Sequence, residues 1–146
     1  MEIRKYELFV RTTAVWEIPQ EYMTTPSAVY AFLTTYMHMQ ERDRETVVVL
    51  SLNAKGEVIG CHEASIGDIV SSAVHPREIF KHAILSNAAS IVVAHNHPSG
   101  DPEPSAQDID ATKRLKEAGN ILGIPLLDHI VIGSSSYTSL SKENRI

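Results

Sequence analysis

Between Pro26 and Met37 the apolar side chains Val29, Phe32, Leu33, Tyr36 and Met37 recur at helical spacing, and the charged run Glu41-Arg42-Asp43-Arg44-Glu45 follows. This predicts a first helix opening at Pro26-Ser27. Thr46 to Leu52 is a β-branched run, and the turn residues Asn53-Ala54-Lys55-Gly56 separate it from Glu57 to His62, so the two read as a hairpin. Upstream, Ile3, Tyr6, Leu8, Phe9 and Val10 suggest a short strand over residues 3–10, after which no firm period appears before Pro26.

Downstream, a short strand is expected over Ile69 to Val74. A helix starts at Pro76-Arg77-Glu78 and continues through Phe80, Ala83, Ile84 and Leu85, with proline in the first turn where its missing N–H is harmless. Ser90 to Ala94 returns to strand. The stretch from His97 to Pro104 holds three of the seven prolines and one of the seven glycines, which makes it a stiff loop. A helix from Ser105 to Leu122 is expected to bury Ile109, Leu115, Ala118 and Leu122, with Gly119 to Gly123 stopping it. Leu126 to Ile132 and Tyr137 to Leu140 read as two last strands around Gly133-Ser134-Ser135-Ser136. Two strand connections are too short for parallel crossovers, so the sheet must be mixed. The expected class is α/β, one mixed sheet flanked by helices in a single domain.

Composition narrows the function classes. The 146 residues suit one domain with its own core, and 43% hydrophobic against 21% charged residues is a globular composition. A formal net charge of −5, without a cluster of Lys and Arg, argues against a dedicated nucleic-acid-binding region. The single Cys61 and the absence of an apolar leader after Met1 point to a reducing cytoplasm, and no apolar stretch is long enough for a membrane span. Oligomeric state is not legible.

The chemistry lies in His95-Asn96-His97-Pro98-Ser99-Gly100-Asp101-Pro102-Glu103-Pro104-Ser105-Ala106-Gln107-Asp108. If the strand continues to His97, His95 and His97 share a face with Cα atoms about 6.5 to 7 Å apart. Asp108 then falls in the first turn of a helix, where a carboxylate is stabilised and can point back at the strand end. Two histidines and a carboxylate with an open position form the ligand set of a catalytic zinc site, with water in the fourth place. Ser105-Ala106-Gln107-Asp108 also fits a helix capping box, and seven histidines make one His-x-His pair an ordinary coincidence. Joined by a proline-stiffened loop at a strand-to-helix junction, the pieces become specific. The letters His-Asn-His do not make an HNH nuclease, whose motif is dispersed over a ββα unit.

His95-x-His97, seven residues, Ser105, two residues and Asp108 resemble the JAMM (JAB/MPN+) metalloprotease signature. Val74-His75-Pro76-Arg77-Glu78, Asn87-Ala88-Ala89, His95 to Pro102 and Leu127-Asp128-His129-Ile130-Val131-Ile132-Gly133 resemble its RadC-like branch, and the similarity covers about residues 27–141. The resemblance implies a JAMM/MPN-like, cytidine-deaminase-like sandwich, with residues 1–26 as an extension. It also implies one Zn2+ held by His95, His97 and Asp108, with a general-base glutamate on the strand after the first helix, where Glu45 stands. Glu63 and Glu78 are the competitors for that role.

Ser105 is then suited to hydrogen-bond an oxyanion, although helix capping competes for it. His129 and Asp128 are candidates for orienting a ligand imidazole, but alternation along a strand lets at most one face the site. Cys61, His38, His62, His75 and His82 read as core or surface residues. The expected function is zinc-dependent hydrolysis of a peptide or isopeptide bond in a peptide or protein substrate. The alternatives are a non-catalytic RadC-like interaction module associated with DNA repair or mobile elements, and a metal-dependent nuclease. RadC-like proteins commonly carry a helix-hairpin-helix region, and no such pattern precedes the first helix here.

Overall fold

The computed structural model describes residues 1–18, 25–66 and 75–146. Its elements are α1 (Pro26–Thr35), a 3-10 turn (Met39–Glu41), β1 (Thr46–Leu52), β2 (Val58–Ile66), α2 (Pro76–Leu85), β3 (Ser90–Asn96), α3 (Ala106–Leu122), β4 (Leu126–Ile132) and β5 (Tyr137–Ser139). The expected α/β class with a mixed sheet is what the chain adopts. Among the described residues the strand order is β2-β1-β3-β4-β5, and of these neighbours only β3 and β4 run parallel. That one parallel pair is connected by α3, because a return to the same end of the sheet needs a crossover.

Alternation along the strands divides the core. Val48, Leu50, Leu52, Val92, Ala94, Ile130 and Ile132 face Val29, Phe32 and Leu33 of α1. Val47, Val49, Ile91, Val93 and Leu126 face Ile79, Phe80 and Ala83 of α2 and Leu115 of α3. β1 and β3 are buried along their whole length, as central strands covered on both faces must be. Complete burial of a side chain such as Phe80 contributes roughly 1.5 to 3 kcal/mol. The β3–β4 ladder slips by one residue between Leu126 and Asp128, leaving Leu127 exposed.

Three expectations need correction or lie elsewhere. Residues 3–10 are not a strand; they belong to no regular element and their side chains are exposed, so their apolar spacing has no sheet to join. The strand expected over 69–74 lies outside the described residues. The buried stripe of α3 is Asp108, Thr112, Leu115 and Gly119, while Leu122 is exposed. Gly119 lies inside α3, where an added Cβ would come within 2.6 Å of the Ile124 carbonyl oxygen and 3.1 Å of Phe80. Close approach of helix and strand, not termination, requires that glycine; the helix ends at Gly123, with φ +71°.

Candidate metal centre

Backbone pairing brings three chain segments to one corner of the sheet. His95 is the penultimate residue of β3 and pairs with Val47 near the start of β1, so the residue leading into β1, Glu45, lies beside the strand end. The loop after β3 then returns Asp108 to the same corner in the first turn of α3. His97 lies just beyond β3, and its N–H still donates to the Ile132 carbonyl oxygen at 2.9 Å.

One ligand atom from each of Glu45, His95, His97 and Asp108 lies within 4.8 Å of the others. His95 Nε2 is 3.0 Å from His97 Nε2 and 3.6 Å from Asp108 Oδ1, and His97 Nε2 is 3.4 Å from Asp108 Oδ2. Donors about 2 Å from a tetrahedral ion stand roughly 3.3 Å apart, so these three groups have the spacing of a metal site. Glu45 Oε1 lies 3.6 Å from His95 Nε2, as Asp108 Oδ1 does, but 4.0 Å from His97 Nε2, farther than Asp108 Oδ2.

The protons on the imidazoles matter as much as the distances. His97 Nδ1 lies 2.8 Å from the Asp101 carbonyl oxygen, which can only accept, so that nitrogen carries a hydrogen. His95 Nδ1 is 2.7 Å from Nε2 of the buried His129. Burial holds the His95 ring well below the usual histidine range, and the His129 ring reinforces that shift against the opposing pull of Asp108. Burial lowers His129 to about 4. His97 is shifted the other way, chiefly by its hydrogen bond with Asp108. For Asp108, burial raises the pKa, but His97, His95 and Ser105 outweigh it and keep the carboxylate ionised far below its ordinary range. A buried carboxylate, two imidazole nitrogens and a second carboxylate at the rim form a donor set suited to a cation.

Nearby groups hold this set in place. Asn96, facing away from His95, accepts from the Thr46 N–H at 2.8 Å and donates to the Arg44 carbonyl oxygen at 3.1 Å, clamping the backbone on both sides of Glu45. The His97 loop is tied at Gly100, whose carbonyl accepts from Ser134 N–H at 3.0 Å. Gly133 fits against that loop because an added Cβ would collide with the Gly100 carbonyl and with Pro102. The capping box is present in full: Ser105 Oγ accepts from the Asp108 N–H and donates to Asp108 Oδ2 at 2.7 Å, and the Ser105 N–H also donates to Oδ2.

Comparison with known proteins gives this arrangement its context. Residues 23–146 match the profile of the RadC-like JAB domain. The chain belongs to the RadC-like JAB domain family. It is 44% identical over 138 residues to a UPF0758 protein of Methanosarcina acetivorans, covering 94% of this chain and 59% of that protein. It is 46% identical over 134 residues to a UPF0758 protein of Moorella thermoacetica, covering 92% and 58%. A UPF0758 protein of Clostridium novyi is 57% identical over 100 residues, covering 68% and 44%. The chain thus spans about half to three fifths of the length of these relatives.

Within the RadC-like domain, the other candidates from the sequence separate cleanly. His129 pairs with Val93 and faces α3, in contact with His95, whereas Asp128 points to the opposite face. Of this pair, of which alternation lets at most one face the site, Asp128 is the one that turns away: its carboxylate accepts from Ser139 Oγ at 2.6 Å and from the N–H groups of His129 and Ser141, locking β4 to the chain after β5. Glu63 is paired with Arg42 at 2.7 Å, and Glu78 with Lys81 at 2.6 Å. His75 caps α2 by accepting from the Arg77 N–H, and His62 stacks on His82 with ring centroids 5.3 Å apart. Asn96 and Thr112 are the residues that sequence reasoning missed. Thr112 was marked by its place four residues after Asp108, on the same stripe as Leu115 and Gly119.

Proposed function

We propose that this RadC-like JAB domain is a zinc-dependent hydrolase, a metallopeptidase or isopeptidase acting on a peptide or protein substrate. One observation carries the reading: His95, His97 and Asp108 present a compact N,N,O set at a strand-to-helix junction, with the Glu45 carboxylate beside it, 4.0 Å from His97 Nε2. His95, His97 and Asp108 would hold the ion, and a mixed nitrogen and oxygen set with an open position favours zinc. A Zn2+ held there would supply Lewis acidity, which makes water a nucleophile near neutral pH.

Glu45 takes the proton of the attacking water and returns it to the leaving amine nitrogen. Its backbone, clamped by Asn96, keeps the carboxylate at the rim. Ser105 donates its one hydroxyl hydrogen to Asp108 Oδ2 and so holds that carboxylate ionised; the same hydroxyl would serve the oxyanion of the tetrahedral intermediate by turning away from Asp108. Nothing in this set selects phosphate over amide, and the net negative charge of the chain disfavours a polyanionic substrate.

The experiment is metal content plus hydrolysis of a peptide and isopeptide panel by the wild type and Glu45→Gln. The expected outcome is about one zinc per chain in both, with hydrolysis reduced roughly 100- to 10,000-fold in the variant. Equal activity in the two would remove Glu45 from the mechanism. Metal binding without hydrolysis of any member would favour an interaction module, and cleavage of labelled DNA lost in His97→Ala would favour a nuclease.

A further inference from the structure

Behind the metal-facing groups runs a chain of buried polar contacts that the mechanism above does not use. His95 Nδ1 is 2.7 Å from His129 Nε2, and His129 Nδ1 is 2.6 Å from Thr112 Oγ1. Thr112 Oγ1 donates to the carbonyl oxygen of Asp108, one helical turn earlier. His95, Thr112 and His129 are all buried.

The end of this chain fixes its direction. A backbone carbonyl has no hydrogen to give, so the single hydroxyl hydrogen of Thr112 is used on Asp108. Thr112 Oγ1 can then only accept from His129, which places the His129 hydrogen on Nδ1 and leaves its Nε2 as an acceptor. The His95 hydrogen must therefore lie on Nδ1, and His95 Nε2 faces Asp108, His97 and Glu45 with its lone pair. The reverse arrangement, with Thr112 donating to His129, would leave two oxygens, Thr112 Oγ1 and the Asp108 carbonyl, 2.5 Å apart with no hydrogen between them.

We infer that Thr112 and His129 are positioning residues that set the tautomer and ring orientation of His95. The use of that lone pair as a metal ligand rests on the function proposed above. The chain also closes on itself. It starts at one proposed ligand, His95 on β3, and ends on the backbone of another, Asp108 on α3, so the same contacts fix the distance between strand and helix. Orienting contacts behind a ligand histidine alter metal affinity about 10- to 100-fold.

The first measurement needs no metal. In the chelator-treated full chain with isotope-labelled histidines, His95 should carry its hydrogen on Nδ1 and show nitrogen–nitrogen coupling to His129 Nε2 across the hydrogen bond. A His95 hydrogen on Nε2, or no coupling, overturns the inference. The second measurement is zinc affinity by chelator competition. Thr112→Val should bind zinc about 10- to 100-fold more weakly and lose the single-tautomer signature, while Thr112→Ser, which keeps the hydroxyl, restores both. Wild-type affinity and an unchanged His95 tautomer in Thr112→Val would overturn the inference. If Thr112→Val fails to fold, the wild-type tautomer and coupling still decide it. A wild type that shows the coupling but binds no divalent metal supports the positioning chain and overturns the metal reading.

Discussion

Ser105 and Asp108 hold each other in both directions: the Asp108 N–H donates to Ser105 Oγ, and Asp108 Oδ2 accepts from both the Ser105 hydroxyl and the Ser105 N–H. Asp108 Oδ1 is left 3.6 Å from His95 Nε2. Oδ2 serves the cap and also lies 3.4 Å from His97 Nε2, so helix capping and the histidine cluster share this carboxylate, and Oδ1 is the oxygen that the cap leaves unused.

Ser105→Ala should lower stability by about 1 kcal/mol through loss of the cap. It should also weaken zinc binding, because Asp108 Oδ2 loses the hydroxyl that donates to it. Ser105→Thr keeps an Oγ and should restore both properties. Thermal unfolding and chelator competition on the three proteins check this.

Gly133→Ala should disturb the centre from a distance. The new methyl would meet the Gly100 carbonyl and stand 2.9 Å from Pro102 Cδ, pushing on the loop that carries His97. Overpacking of this kind costs about 1 to 3 kcal/mol, and zinc affinity should fall with it. Gly56→Ala is the control: its φ of +79° makes any side chain strained, but no atom lies within 4 Å of the new methyl. It should lose stability and leave zinc binding unchanged.

Acidification of the metal-free protein should destabilise it as the pH falls from about 6.5 toward 4. His129 titrates near 4 when folded, below the ordinary histidine value of about 6.5, because burial disfavours its charged form. In that window the unfolded chain binds more protons, so stability is full above the upper limit and declines as the pH drops. His97 is shifted upward and opposes this trend, its contribution fading as the pH rises through its folded value. His95, whose ring burial also holds below the usual range, adds to the decline, so urea unfolding across the window, in chelator, should show the combined slope of His129 and His95. Stability that rises on acidification would contradict it.

Most of the architecture is written in local patterns. The β-branched run at Thr46 to Leu52, the Asn53 to Gly56 turn and the prolines opening α1 and α2 each specify their element without help from the rest of the chain. Residues 3–10 show the limit: apolar residues fit for a strand form none when no neighbouring edge pairs with them. The spacing of His95, His97, Ser105 and Asp108 was visible because one loop carries it. Glu45 reaches them only through the β1–β3 register, and Asn96 and Thr112 have meaning only once strands and helix are assembled. Which of Asp128 and His129 faces the centre was open for the same reason, since two adjacent strand residues differ in role by which face each takes.

The slip at Leu127 decides that question of face. Leu126 and His129 are three positions apart, an odd number, and regular alternation would turn them to opposite sides of β4. Both nonetheless face the α2–α3 layer, because Leu127 occupies a place in the sequence without occupying one in the ladder. The centre thus depends on a parity correction made by a residue that touches none of it. Deleting Leu127 would leave a regular ladder with Leu126 and His129 two positions apart and still on one side, whereas inserting a second residue there would send either the Leu126 anchor or His129 to the wrong side.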